Sequence, residues 1–326
     1  MKKDELINIL NNYSISDIID YREIDTTNGD DYRVNIVVDK KYVLRINNDV
    51  ITEERLQSVS RLCERYRSIG VLAPKLYKNK DGVYLTSYQN HVCYLSEYLD
   101  YSTEEDATSC NHKQVEKEVL KMIGIFSKKY SNYDLSDINS MWSLIDLAPL
   151  DINVDEKQEN LDMLVKNLDE IGESNLAKSI VSFNEENRNE IKKVYKQLPR
   201  CVIQGDLNCA NILVKDNHFI GLIDFNMAGT EVNVNYFCAE TNGYISKKDF
   251  LAKSAFEFYS DWILEQNCKL AIIMKEYALN ELEKGIIENY RNICMISQYP
   301  NVMAFINFLK EDKAKTLDII RLILER

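Results

Sequence analysis

The chain has 326 residues, enough for two ordinary domains or one large two-lobed enzyme. With 45% hydrophobic and 28% charged residues it has a globular balance that excludes wholesale disorder. Its 40 basic against 52 acidic residues, a formal charge of −12, argue against nucleic acid as the main ligand.

No apolar run reaches the about 18 residues that a membrane span needs. The opening Met1-Lys2-Lys3-Asp4-Glu5 turns acidic too early for a signal peptide. Eight scattered cysteines without a Cys-x-x-Cys pair read as the reduced thiols of a cytoplasmic protein. Three isolated histidines, His91, His112 and His218, offer no spacing for a zinc site or a Ser-His-Asp triad.

After a short N-terminal helix the pattern turns to strands. Tyr21–Asp25 and Arg33–Val38 are expected to pair across a loop that holds Asn28-Gly29. Asp39-Lys40-Lys41 makes a second turn into a third strand, Tyr42–Ile46. From Ile51 to Ile69 the apolar residues Leu56, Val59, Leu62, Cys63, Tyr66 and Ile69 recur at helical spacing, and Gly70 and Pro74 stop the helix. Strands over Gly82–Tyr88 and His91–Tyr98 complete a five-strand sheet. Beyond Glu104 helical periods dominate, over Lys113–Tyr130, Trp142–Leu147, Lys157–Leu168, Asn175–Gln197 and most of the chain after Asp249. The change of period near Leu99-Asp100 predicts an N-terminal lobe over residues 1–99 and a larger helical lobe over residues 100–326.

Strand-like runs return once, between residues 200 and 225. There Cys201–Ile203 and Ile212–Val214 flank a polar loop, and Phe219–Ile223 delivers Asp224 at its end. Asp206, Asn211 and Asp224 are therefore expected at adjacent strand ends. An amide oxygen and a carboxylate suit Mg²⁺, which prefers hard oxygen ligands and leaves room for phosphate. A further carboxylate five residues before the asparagine suits proton acceptance from an attacking hydroxyl. The plainer alternative makes Asp206 and Asn211 ordinary turn residues.

Gln204-Gly205-Asp206, Asn211-Ile212-Leu213 and Ile223-Asp224-Phe225 resemble the paired motifs of the aminoglycoside phosphotransferase/choline kinase family, small-molecule relatives of protein kinases. The resemblance implies an α+β, two-lobed protein-kinase-like fold. Its N-lobe would be a small antiparallel sheet with one main helix that binds nucleotide, and its C-lobe a mostly helical part that binds substrate. It implies Asp206 as catalytic base, and Asn211 and Asp224 as ligands of Mg²⁺. Arg45 stands where the family places its phosphate-pairing cation, with Glu54 or Glu53 as its acid partner, and the nucleotide base would lie against Glu97-Tyr98-Leu99.

The co-substrate implied is ATP or GTP. The acceptor is a hydroxyl of a small molecule, with an amine-bearing, cationic compound such as an aminoglycoside or choline favoured by the acidic balance, and homoserine-like or sugar acceptors left open. No membrane or nucleic-acid partner is implied, and the chain is expected as a monomer or weak dimer. Glu231, Glu240 and Asp261 are candidates to meet ammonium groups, while Trp142 and Trp262 read as core. Gln204 replaces the family's usual His, and the loop Thr26–Asp31 carries one glycine and two acids. Those departures support the alternative, a catalytically silent kinase-like binding protein.

Overall fold

A computed structural model describes residues 1–27, 29, 32–48, 51–144, 155–242 and 245–326. In chain order the elements are α1 (Lys3–Asn11), β1 (Tyr21–Asp25), β2 (Arg33–Val38), β3 (Tyr42–Asn47), α2 (Glu53–Arg67), β4 (Leu76–Tyr77), β5 (Thr86–Tyr88), β6 (His91–Glu97) and β7 (Ser102–Thr103). There follow α3 (His112–Tyr130), α4 (Glu156–Glu170), α5 (Ser174–Val194), β8 (Arg200–Ile203), β9 (Ile212–Lys215), β10 (His218–Leu222) and β11 (Gly229–Val232). The chain ends in α6 (Asn233–Thr241), α7 (Lys247–Ala252), α8 (Ala255–Glu276), α9 (Glu281–Ser297), α10 (Tyr299–Glu311) and α11 (Lys313–Leu324). Two compact units emerge: Met1–Val115 with Asp206–Asn226, and Glu116–Gly205 with Met227–Arg326.

In the first unit an antiparallel sheet runs β1-β2-β3-β6-β4, with β5 also paired to β6. Strand alternation divides its faces. Val34, Ile36, Val38, Leu44, Ile46, Cys93 and Leu95 are buried against Leu6, Ile9 and Leu10 of α1. Arg45 lies between Leu44 and Ile46 and so points to the opposite face, directly across from Tyr94 on β6. Arg45 and Tyr94 share a cavity with Leu56, Val59 and Cys63 of α2. The Thr52 side chain caps α2 by accepting from the Arg55 amide at 3.2 Å, and Gly70 ends the helix region in left-handed backbone (φ 85°).

The β9–β10 hairpin belongs to this same unit. Leu72 donates its amide to Ile220 and accepts from Leu222, and a side chain at Gly221 would collide with Leu72 at 2.6 Å. β7 pairs with the other edge of the hairpin, on β9.

The strand expected over Gly82–Tyr88 is shorter, beginning at Thr86. The cause is local competition for amides. The Asn79 side chain accepts from Asp81 and Val83, and the Glu53 carboxylate accepts from Tyr84 at 2.9 Å and Leu85 at 3.0 Å. Those amides are spent on side chains before they can join a ladder.

The second unit is helical around a core that includes Leu161, Leu164, Ile180, Phe250, Trp262, Phe305 and Ile320, and it carries β8 and β11 as an antiparallel pair. Arg188 grips Asp155 with both terminal nitrogens, at 2.6 and 2.9 Å. The helix expected over Asn175–Gln197 is α5 followed by a tighter turn at Tyr195–Gln197. Of the helix expected over Trp142–Leu147, residues 142–144 are not helical and the remainder lies outside the described residues. Among the described residues no helix is long and apolar enough to cross a membrane. The antiparallel sheet of the N-terminal part and the helical C-terminal part make this an α+β chain of kinase-like architecture.

Candidate active site

The polar loop begins where β8 ends. Gln204 is fully buried, and Gly205 turns the chain in left-handed backbone (φ 85°), where a Cβ would stand 2.2 Å from the Met227 carbonyl oxygen. Only glycine fits there. The Trp142 indole donates to the Gly205 carbonyl at 2.8 Å and pins the turn.

Asp206 follows, with both carboxylate oxygens in use. Asn208 Nδ2 donates to Oδ1 at 2.8 Å and Asn211 Nδ2 donates to Oδ2 at 2.9 Å. Asn211 Nδ2 also reaches the Asp206 backbone oxygen at 3.0 Å, so the Asn211 side chain closes the loop on itself. Two amide donors on one carboxylate fix its orientation.

Asp224 arrives from the neighbouring strand. Leu222 pairs with Ile212, and the Ile223 amide donates to the Asn211 carbonyl at 2.9 Å, so the metal-type residues Asn211 and Asp224 sit at adjoining strand ends. Asp224 itself is left-handed (φ 54°), an unusual state for a residue with a side chain. Its Oδ1 accepts from the Asn226 amide at 3.3 Å and from Arg45 Nη1 at 3.4 Å. Burial pushes the Arg45 guanidinium toward neutrality, but the neighbouring Tyr94 hydroxyl and Asp224 outweigh it and raise its pKa. Phe225 turns inward and meets Tyr66 of α2 edge-on at 5.7 Å.

Among the residues singled out in the sequence, Arg45 and Asp224 meet, and Asp206 and Asn211 meet. The acid partner expected on α2 is a different matter. Glu54 is exposed, Glu53 is occupied by the Tyr84 and Leu85 amides, and the carboxylate on Arg45 is that of Asp224. Glu97 and Leu99 lie in the segment leading out of β6, where the Glu97 amide donates to Lys75 and the Leu99 carbonyl accepts from Tyr101. The loop Thr26–Asp31 is described only in part, with residues 28, 30 and 31 outside the described set.

Sequence reasoning missed Arg55, Tyr94 and Asn226. Arg55 Nη2 donates to the Asn226 carbonyl at 2.9 Å, and the Tyr94 hydroxyl donates to Asn226 Oδ1 at 3.3 Å. Burial lowers the Arg55 pKa, so a second, poorly solvated cation lines the Asp224 cavity. Arg55 carried the one usable signal: it sits in the first turn of α2, the helix that follows the Arg45 strand. Glu231 proves to be buried (2% exposed), accepting from the Ser140 hydroxyl and the Val232 amide, both at 2.7 Å; burial pushes its carboxyl up. Asp261 pairs with Lys253 at 3.1 Å on the surface.

No curated protein matches the sequence. Among solved structures, a spectinomycin phosphotransferase in complex with ADP and spectinomycin is similar with a TM-score of 0.52 and 12% identity, over 100% of this chain and 97% of that one. An amicoumacin kinase in complex with AMP-PNP and Ca²⁺ is similar with a TM-score of 0.51 and 11% identity, over 100% of this chain and 94% of that one. At such low identity the likeness speaks for the fold. A sequence profile described as the phosphotransferase enzyme family covers residues 21–231, from β1 through the loop of Asp206 and the strand end of Asp224 to β11, and on that match the chain belongs to the phosphotransferase enzyme family.

Proposed function

We propose that the protein is a Mg²⁺-dependent kinase that moves the γ-phosphoryl group of ATP or GTP to a hydroxyl of a small, amine-bearing molecule. The observation that carries this reading is the Asp206 carboxylate held by Asn208 and Asn211, next to a strand end bearing Asp224 on Arg45. The donor set fits the ion: the Asn211 amide oxygen and the Asp224 carboxylate are hard oxygen ligands of the kind Mg²⁺ selects. When bound, the ion would neutralise the charge of the phosphate oxygens.

The chain's own residues supply the rest. Asp206 accepts the proton of the attacking hydroxyl, and its two amide donors keep the carboxylate aimed. Arg45 and Arg55 offer positive charge to phosphate in a poorly solvated cavity, where charge acts most strongly. The segment Glu97–Leu99 would take the nucleotide base through its backbone. None of the eight cysteines forms a disulfide, which accords with a cytoplasmic setting, and we expect a monomer or weak dimer.

A silent binding module is the second reading, favoured by the buried Gln204 that stands in the place of the family's usual histidine. One experiment separates the two. Aminoglycosides, choline, homoserine and sugars are screened for nucleotide consumption with ATP and with GTP in Mg²⁺, using wild type and Asp206→Asn. Turnover should fall about 10²–10⁴-fold in the variant while nucleotide affinity stays within about threefold. Undiminished turnover removes Asp206 as the base. Nucleotide binding without turnover on any acceptor favours the silent module.

A further inference from the structure

The connection between β7 and α3 gathers side chains that the sequence leaves scattered. Glu104, Cys110 and His112 bring a carboxylate oxygen, a thiol and an imidazole nitrogen within 4.8 Å of one another. Glu104 is only 6% exposed, and its Oε1 lies 2.7 Å from His112 Nδ1.

The frame around these groups is built. The Glu104 amide donates to the Ile212 carbonyl at 2.8 Å and the Glu105 amide to the Cys209 carbonyl at 3.2 Å. Thr103 closes the turn by exchanging hydrogen bonds with Asp106, and the Asn111 amide donates to Asn217 of the β9–β10 turn at 3.3 Å. The ligands are thus presented by backbone that the β7, β9 and β10 strands hold in place.

We infer that Glu104, Cys110 and His112 form a binding site for a divalent ion of the zinc class, separate from the residues proposed to bind phosphate, with solvent water in the fourth position. A sulfur, an imidazole and a carboxylate form a donor set that suits Zn²⁺ and is foreign to Mg²⁺. Tetrahedral Zn–N and Zn–O bonds of about 2.0 Å put those two atoms about 3.3 Å apart. Glu104 and His112 need only exchange their direct hydrogen bond for a shared ion, opening by about half an ångström. The Cys110 thiol gives up its proton to solvent as its sulfur binds, so there is no change of oxidation state, and binding weakens as pH falls. Because the Glu104 and Glu105 amides hold the Ile212 and Cys209 carbonyls, the ion would brace the loop that carries the proposed base.

The test uses the full chain, stripped with chelator, kept under a phosphine reductant in excess Mg²⁺, and titrated with Co²⁺ as an optical stand-in. The expected result is one equivalent of Co²⁺ bound with a thiolate-to-cobalt charge-transfer band and tetrahedral visible bands, all displaced by Zn²⁺. Cys110→Ser should abolish the charge-transfer band. His112→Gln should weaken binding at least about a hundredfold, beyond the about 10–100-fold that loss of an outer partner costs. Asp224→Asn should leave the spectrum unchanged, which sets this outcome apart from that of the proposed phosphotransfer. A spectrum without a charge-transfer band at tenfold excess of Co²⁺ overturns the site. So does a band that survives Cys110→Ser and disappears with substitution of the exposed Cys268.

Discussion

Replacing Asp224 with asparagine removes one charge while keeping a residue that tolerates left-handed backbone. The consequence follows from its contact with Arg45. Two unit charges 3.4 Å apart interact by about 5 kcal/mol at an effective dielectric of about 20. The Asp224 side chain is 39% exposed, so screening reduces the pair to about 1 kcal/mol. In the wild type, phosphate must draw Arg45 away from this carboxylate; in Asp224→Asn it need not. Metal-free ATP should therefore bind the variant about fivefold more tightly. The additional affinity supplied by Mg²⁺ should be lost, because the carboxylate that would hold the ion is gone. Isothermal titration in chelator and again in excess Mg²⁺ measures both. If metal-free ATP binds the variant more weakly, while Mg²⁺ still strengthens binding as in the wild type, then Arg45 and Asp224 do not exchange partners in this way.

Gly205→Ala forces a Cβ to 2.2 Å from the Met227 carbonyl at φ 85° and should destabilise by more than about 2 kcal/mol, read by chemical denaturation. Glu53→Ala strips the acceptor from the Tyr84 and Leu85 amides, a loss of about 1.5–3 kcal/mol for bonds to a charged group, and hydrogen exchange at those two amides should accelerate first. The Glu283 carboxyl, which caps α9 through the Asn280 amide and accepts from the Tyr277 hydroxyl, has its pKa raised by burial. The folded state therefore keeps that proton longer than the unfolded chain, so its contribution is complete below the unfolded pKa and is lost as pH rises through the folded one. Glu283→Gln, which preserves the cap, should gain stability relative to wild type as pH rises above the ordinary carboxylate value of about 4.5; parallel pH profiles would refute this.

The residues most legible in the sequence were those whose meaning is local. Alternation around Leu44 and Ile46 announced a strand, the spacing of Leu56, Cys63 and Tyr66 a helix, and Gly70 its end. Each depends on backbone geometry within a few residues. Gly82–Tyr88 misled because its amides are claimed by Asn79 and by Glu53, the latter about 30 residues away, and no strand pattern records a carboxylate's reach. Glu231, read as a candidate to meet ammonium groups, is buried on β11, where the bridge of Asn139 to Thr230 brings the Ser140 hydroxyl to it.

The spacing of Asp206, Asn211 and Asp224 was determined by the sequence alone, since a short loop and a two-residue hairpin leave little freedom between them. What only the tertiary structure decided was which groups meet: Arg45 with Asp224 rather than an acid of α2, Arg55 with Asn226, and Glu104 with His112 beside Cys110. The reason is physical. Local geometry is written in neighbouring dihedral preferences, whereas long-range charge pairing depends on which strand edges close against each other, and many such closures share one hydrophobic pattern.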